Sequence, residues 1–294
     1  SSAFLFCTVG ASMALISQIY NLGGELETFI MVWMLIFIPV VYILNSSFGS
    51  LLYIAGITWH GIVGDYNHPS YTYWLLLILI LPHYYFLLKK QIQGNFIIIH
   101  NWFLCISIPV IIAPLLFRNE IVFLVYPALI SILIVYIYIG RYFQNIHSKL
   151  VINPFLLLGT VGIIILLFTL SFDLYWEELM NDIVWSKALQ YMEFWFVVII
   201  LVLGLFLVIN TIKKNGVSQT PILDFSLWIF IVCFITALQE SSISLVIINL
   251  FILLLSIQYI RKGAIEFQLE KLNFGLLLLC LLITFRFFDI DFSF

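Results

Sequence analysis

Long apolar runs separated by short polar segments repeat along the whole of this chain. The run at 161–168, VGIIILLF, is apolar on every face that a helix could present. About 20 apolar residues suffice for one helical crossing of a membrane. Such a segment must satisfy its own backbone hydrogen bonds, because the hydrocarbon core holds no water. The pattern therefore predicts an all-α fold, that of a polytopic integral membrane protein.

The composition leaves little room for a water-facing surface. Hydrophobic residues make up 64% of the 294 residues and charged residues only 9%, whereas charged residues are about 25% of a typical soluble domain. We therefore expect residues 1–294 to form a single transmembrane helical domain. Because both ends of the sequence lie in apolar runs, we also expect an N-terminal segment and a final helix that this sequence lacks.

Polar segments divide the chain into eleven expected transmembrane helices. Their approximate spans are 2–20, 28–45, 47–63, 71–88, 96–116, 120–139, 153–172, 194–212, 222–239, 243–260 and 273–289. The longest outer loop, 173–193, mixes apolar and acidic residues at a spacing that favours an interfacial helix on the outer face of the membrane.

Basic residues are distributed unevenly between the two sets of loops. Most of them follow the fourth, sixth, eighth and tenth spans: Lys89, Lys90, Arg141, Lys149, Lys213, Lys214, Arg261, Lys262 and Lys271. The opposite loops hold Arg118 and Lys187 beside many acidic residues. Because cytoplasmic loops carry an excess of Lys and Arg, we expect the N-terminus to be cytoplasmic.

Polar side chains within a bilayer are costly and are therefore candidates for function. Near the expected cytoplasmic side lie His83, His100 and Asn101, and near the outer side lie Gln18, Tyr20, His60, Glu240, Arg286 and Asp289. The first group either relays protons or substrate, since histidine titrates near neutral pH, or only links helices by hydrogen bonds. In the second group, Arg286 either neutralises Asp289 at i,i+3 or lines an outward-facing substrate pocket with His60.

Several kinds of chemistry are disfavoured by missing motifs. The sequence has no phosphate-binding loop or paired zinc-binding histidines and no nucleophile elbow. We expect no cofactor and no metal, because the five histidines lack ligand spacing. No basic run supports binding to nucleic acid. Catalytic residues are unknown from the sequence, and an enzyme is the less favoured interpretation.

Two segments resemble a family of bacterial predicted membrane proteins that is grouped under a domain of unknown function. The first reads GASMALISQIYN at 10–21, followed by Gly23-Gly24 and a helix with Trp33 and Pro39. The second reads RFFD at 286–289, followed by DFSF at 291–294. The resemblance implies a bacterial inner-membrane location and marks Gln18, Tyr20, Arg286 and Asp289 as signature positions. It implies no activity.

Three functions agree with these patterns. The first is a transporter-like or permease-like protein for a small solute or an envelope lipid or glycan intermediate, favoured by the many crossings. The second is a noncatalytic subunit that packs against other membrane subunits or in a homo-oligomer. The third is a membrane enzyme that acts on a lipid-linked substrate through Asp65, Asp173 or Glu240 with His60. All three place the chain in contact with the lipid bilayer.

Overall fold

The computed structural model describes residues 2–21, 23–64, 71–90, 94–118, 121–144, 153–172, 175–176, 183 and 185–291. Within these residues every regular element is a helix, which confirms the all-α fold class. Eleven of the described α-helices are longer than ten residues: α1 Ser2–Ile19, α2 Leu26–Leu44, α3 Ser47–Val63, α4 Tyr71–Lys90, α5 Asn95–Arg118, α6 Val125–Gln144, α7 Pro154–Thr169, α8 Met192–Asn215, α9 Ser226–Ala237, α10 Ser241–Ile265 and α11 Leu269–Asp291.

Seven candidate helices in the described part of the chain are long and apolar enough to cross a membrane. They are α1, α2, α4, α5, α6, α8 and α10. The apolar helices α3 and α7 are shorter, as is α9 together with the 3₁₀ turn Ile222–Phe225 that precedes it. The chain is therefore a membrane protein with several apolar helices. The expected eleven crossings and the cytoplasmic N-terminus stay predictions.

The prolines differ in where they fall within the helices. Pro39, Pro82, Pro109 and Pro114 lie inside α2, α4 and α5. The sixth helix begins at Val125, after a 3₁₀ turn at Val122–Leu124, whereas the expected span began at residue 120. Pro127 thus lies in the first turn of α6, where its missing N–H leaves no intrahelical bond unmade.

The chain forms two compact units, residues 1–120 with 139–157 and residues 121–138 with 158–294. In the first unit α3 is central, because it contacts α1, α2, α4 and α5. Apolar side chains from α2, α3, α4 and α5 fill the interior of this unit, among them Phe37, Ile57, Ile80 and Ile111. A single transmembrane domain over 1–294 stays a prediction.

Small residues bring α3 close to its neighbours. A Cβ at Gly61 would lie 2.6 Å from Cδ1 of Ile111 on α5. The start of α3 is capped by Ser46, whose Oγ accepts the N–H of Gly49 at 3.0 Å. Within a membrane, close packing and interhelical hydrogen bonds hold helices together. The short separations place polar groups of α3 within hydrogen-bond distance of α4 and α5.

In the second unit α10 and α11 form a close helical hairpin. A Cβ at Gly275 of α11 would lie 2.7 Å from the backbone nitrogen of Ile260 and 2.9 Å from the carbonyl oxygen of Ser256, both on α10. Where α10 ends and α11 begins, Lys271 in the first turn of α11 donates a hydrogen bond to the carboxylate of Glu266, which follows α10. Backbone atoms cannot move aside like a flexible side chain, so this contact requires a glycine.

The expected interfacial segment at 173–193 lies largely outside the described residues. Within it, Trp176 is fully buried (0% exposed) and donates its indole N–H to the Leu170 carbonyl at 2.8 Å. Residues Trp185–Ala188 form one helical turn. A surface helix over this segment stays a prediction.

Candidate functional site

Hydrogen-bonded polar side chains lie along α3 at three levels, each against a neighbouring helix. Ser50 and His60, at the two ends, are separated by about 15 Å at the 1.5 Å helical rise per residue. We call this set the polar column. It consists of Ser50 and His100 at the first level, of Thr58, Tyr73 and Ser107 at the middle level, and of His60, Thr72 and Glu27 at the third level.

The middle level is a directed chain of hydroxyl groups. The Thr58 hydroxyl donates to the Ile54 carbonyl at 2.7 Å, since a carbonyl oxygen only accepts. Thr58 then accepts from Ser107 at 2.6 Å, and Ser107 accepts from Tyr73 at 2.6 Å. Each hydroxyl proton has one acceptor in this order. The chain of hydrogen bonds therefore ties α3, α4 and α5 together inside the first unit.

The third level is built around His60, which is 1% exposed near the end of α3. Its Nδ1 lies 3.3 Å from the Glu27 carbonyl, and its Nε2 lies 3.0 Å from the Thr72 hydroxyl. Nδ1 is the donor, because the carbonyl only accepts. The Glu27 carboxylate is 3.9 Å from Nε2 and buried. A protonated His60 would therefore form a buried ion pair with Glu27.

The first level joins α3 to α5 through His100, which is 0% exposed. Its Nδ1 lies 2.6 Å from the Phe96 carbonyl, and its Nε2 lies 2.5 Å from the Ser50 hydroxyl. The neighbouring residue Asn101 is also buried, and its Oδ1 accepts a hydrogen bond from the Tyr84 hydroxyl at 2.5 Å. Both expected residues of α5 thus take part in contacts with other helices.

His83 lies beside this level on α4 and is 3% exposed. Its ring packs edge-on against Tyr42, with 5.7 Å between the centroids. Among the described residues its Nε2 has no hydrogen-bond partner. Its neighbour in the chain, Tyr84, has its ring centroid 6.5 Å from that of His100. The structure thus brings His83, His100 and Asn101 into one region of the first unit, and their role stays a prediction.

The expected outer residues fall in different surroundings. In the first unit Gln18 and Tyr20 are exposed at the end of α1, and His60 is buried at the third level. In the second unit Glu240 is exposed at the N-terminus of α10. A shared pocket for these residues stays a prediction.

Arg286 on α11 contacts the end of α7. Its Nη2 donates to the carbonyl oxygen of Ser171 and also lies 3.3 Å from the Ser171 hydroxyl. The guanidinium lies over the ring of Phe172, with 5.4 Å between Cζ and the ring centroid. A cation at the carboxyl end of a helix is favoured by the helix dipole. Arg286 therefore links α11 to the residues that follow α7.

Other expected groups lie outside the described residues, namely the side chains of Asp289, Asp65 and Asp173. The pairing of Arg286 with Asp289 and the enzyme hypothesis with these acids stay predictions. Within the described part of the chain, no group of three or more His, Cys, Asp or Glu side chains is arranged to hold a metal ion.

Sequence reasoning missed three kinds of residue in these sites. Ser107 and Thr58 carry no signal in a sequence, because hydroxyl residues are common in membrane helices. Glu27 precedes the expected span 28–45, but it lies buried in the first turn of α2. Asp224 is 0% exposed in the second unit and accepts a hydrogen bond from the Tyr138 hydroxyl at 3.0 Å. An acidic residue between the apolar residues Leu223 and Phe225 was the sequence signal that could have identified Asp224 as buried.

Gly10 and Trp33, two of the residues that carry the family resemblance, contact one another in the first hairpin. The indole of Trp33 on α2 donates to the Phe6 carbonyl of α1 at 3.0 Å. A Cβ at Gly10 would lie 2.5 Å from the Trp33 ring. The glycine therefore leaves the room that the indole occupies, and the two residues depend on one another.

The comparisons with known proteins address this same hairpin. Residues 2–49 match the family described as predicted membrane protein (DUF2157). No curated protein and no solved structure matches the chain. The closing segment from Arg286 onward lies outside the matched residues, so its resemblance stays a prediction. The first hairpin is thus similar to a family of predicted membrane proteins of unknown function, which confirms the resemblance carried by residues 10–21, Trp33 and Pro39.

Proposed function

We propose that this chain is a transporter-like or permease-like protein of the bacterial inner membrane and that the polar column is part of its solute pathway. Its substrate is a small solute or an envelope lipid or glycan intermediate. Eleven helices cross the membrane, with the N-terminus in the cytoplasm.

The positions of basic residues support this topology. From α4 onward, most of them lie in the last turn of alternate helices: Lys89 and Lys90 in α4, Arg141 in α6, Lys213 and Lys214 in α8, and Lys262 in α10. Arg118, at the end of α5, is the exception among these helix ends. By the positive-inside rule the ends of α4, α6, α8 and α10 are cytoplasmic. The first level of the polar column then lies near the cytoplasmic face, and the third level lies near the outer face.

The observation that carries the proposal is the succession of buried polar groups along α3. The column extends over about 15 Å, half of a hydrocarbon core that is about 30 Å thick. Neutral polar side chains can hold helices together through hydrogen bonds that average about 0.6 kcal/mol each. Helix packing alone therefore does not require buried ionisable groups. Histidine and glutamate at this depth are costly and mark substrate or proton pathways. His100 and His60 flank the hydroxyl chain on either side.

Thiol labelling tests whether water and solute reach the column. The native cysteines Cys7, Cys105, Cys233 and Cys280 are first replaced by alanine. Ser107→Cys and Thr58→Cys are then treated, in proteoliposomes, with a membrane-impermeant methanethiosulfonate reagent. The matched control is Ser256→Cys, since Ser256 is 0% exposed and donates to the Ile252 carbonyl of its own helix.

A solute pathway predicts that both column variants react faster than Ser256→Cys. A panel of sugars, amino acids and organic anions is tested for uptake, and labelling of Ser107→Cys should block uptake of the compound that the protein transports. The noncatalytic-subunit hypothesis predicts the opposite, because a dry helix contact excludes the reagent. If the column variants react no faster than the control, the pathway assignment is wrong.

A further inference from the structure

The hydrogen bonds of His100 are compatible with both a neutral and a positively charged ring. Nδ1 must donate, because its partner is the Phe96 carbonyl at 2.6 Å. Nε2 faces the Ser50 hydroxyl at 2.5 Å, and a hydroxyl both donates and accepts. The same Ser50 hydroxyl lies 2.8 Å from the Ser47 carbonyl, which offers its proton a second acceptor.

Two protonation states therefore fit the same heavy-atom positions. In the neutral state the Ser50 hydroxyl donates to Nε2. In the charged state Nε2 carries the added proton and donates to the Ser50 oxygen, while the Ser50 proton turns to the Ser47 carbonyl. One proton enters from water and one positive charge appears on the ring. Every donor in this small network keeps an acceptor in both states.

His83 is the second basic group of this region. It is buried, with 3% of its surface exposed, and its Nε2 has no hydrogen-bond partner in the described part of the chain. An imidazole nitrogen without a partner in the interior is unfavourable, and a neutral ring nitrogen that carries no proton can accept one from water or from a ligand. A charge on His100 opposes a second charge on His83, because His83 is adjacent in the chain to Tyr84, whose ring centroid lies 6.5 Å from that of His100.

We propose that His83 and His100 form a proton-binding pair that holds one proton, so that the proton is the coupling ion of the transport proposed above. The role of the proton as a coupling ion rests on that proposed function, whereas the binding of the proton does not. The groups that face the pair are Tyr42 from α2, Ser50 from α3 and Tyr84 from α4. No carboxylate faces either ring in the contacts of the described residues.

Nitrogen NMR of the histidine rings tests the pair directly. The full chain is labelled with ¹⁵N-histidine, placed in lipid nanodiscs and titrated from pH 5 to pH 8. The signals are assigned by comparison with His83→Gln and His100→Gln. We expect one proton to be taken up by the pair. Removal of the His100 ring in His100→Gln should raise the pH at which His83 becomes protonated by about one pH unit, the coupling at which two sites titrate as a pair.

A second variant keeps the test valid if either glutamine variant fails to fold. Ser50→Ala leaves both rings in place but removes the oxygen that accepts from the charged Nε2. The midpoint of His100 should then fall, while the signal of neutral His100 keeps a protonated Nδ1. Two results overturn the inference: rings that stay neutral across the range, or rings that titrate with no influence on one another.

Failure of this inference is distinguishable from failure of the proposed function. The titration measures proton binding in a protein that is not transporting. Neutral rings beside a thiol-accessible column would leave the solute pathway standing and remove the proton as its coupling ion. Coupled titration beside an inaccessible column would support the proton site and refute the pathway.

Discussion

Removal of the Ser107 hydroxyl should lower the free energy of unfolding of the first unit by more than the value of the two hydrogen bonds that it makes. Ser107 is 1% exposed and stands between Tyr73 and Thr58, at 2.6 Å from each. Ser107→Ala therefore removes two interhelical hydrogen bonds, worth about 1.2 kcal/mol at about 0.6 kcal/mol each. It also leaves the buried Tyr73 hydroxyl without its acceptor, which costs about 1–3 kcal/mol.

A double-mutant cycle isolates the bond between Tyr73 and Ser107. The single variants Tyr73→Phe and Ser107→Ala are compared with the double variant by reversible unfolding in mixed detergent micelles. The free energy of unfolding should show a coupling of about 0.6 kcal/mol, with about 1.7 kcal/mol as the upper bound for such bonds. The cycle is needed because each single variant also leaves a partner unsatisfied.

Ser256→Ala is the matched control for this cycle. Ser256 is as deeply buried, but its hydroxyl donates at 2.8 Å to the Ile252 carbonyl of its own helix. A hydroxyl bonded back to its own helix contributes little to stability, so this variant should leave the free energy of unfolding nearly unchanged. Zero coupling in the cycle, or an equal loss in the control, would refute the reasoning.

Two further predictions concern the α10–α11 hairpin. Gly275→Leu should lower the free energy of unfolding by about 1–3 kcal/mol, the usual cost of overpacking, because its Cβ would lie 2.7 Å from a backbone nitrogen; Gly24→Leu, with nothing within 4 Å of its Cβ, should not. The hydrogen bond from Lys271 lowers the pKa of Glu266 below its ordinary value. The carboxylate therefore stabilises the fold above its unfolded pKa, and this contribution is lost as pH falls through the lowered pKa. In a pH series of unfolding curves Glu266→Gln should remove a small, salt-sensitive part of that loss, and an unchanged curve would contradict the assignment.

The helices were predictable because apolar length alone determines them in a membrane. The expected span 47–63 and the helix Ser47–Val63 coincide. The start of α6 was wrong, since hydropathy does not separate a 3₁₀ turn at Val122–Leu124 from the helix that follows. The sequence also predicts that His83 and His100 lie at a similar depth, because both residues are equally far from the connection between two antiparallel helices.

The partners of these residues could not be predicted in the same way. Ser50 is fifty positions from His100 in the chain, and Ser171 is 115 positions from Arg286. Hydropathy and local spacing give the depth of a side chain, but not which face of a helix meets which neighbour. Such contacts depend on close approach of two helices, as at Gly61 of α3. Glycines in a sequence do not show which helix will pack against them. Gly159 and Gly162 illustrate this, because both lie against Leu133 of α6 without the usual small-residue spacing.

The polar column is interrupted between its first and middle levels, and this bears on how a solute could pass. Ser50 and Thr58 are about 12 Å apart along α3 at 1.5 Å per residue, which no hydrogen bond spans. Ile54 and Ile57, both 0% exposed, lie in this interval beside Tyr53, whose hydroxyl donates to the Leu76 carbonyl of α4 at 3.0 Å. A pathway along α3 therefore needs a second arrangement in which α4 or α5 moves away from these isoleucines, and Pro82, Pro109 and Pro114 give both helices positions where they can bend. In the arrangement seen in this structure, reagent from the outer side should reach Thr58→Cys but not Ser50→Cys, and reagent from the cytoplasmic side should do the reverse.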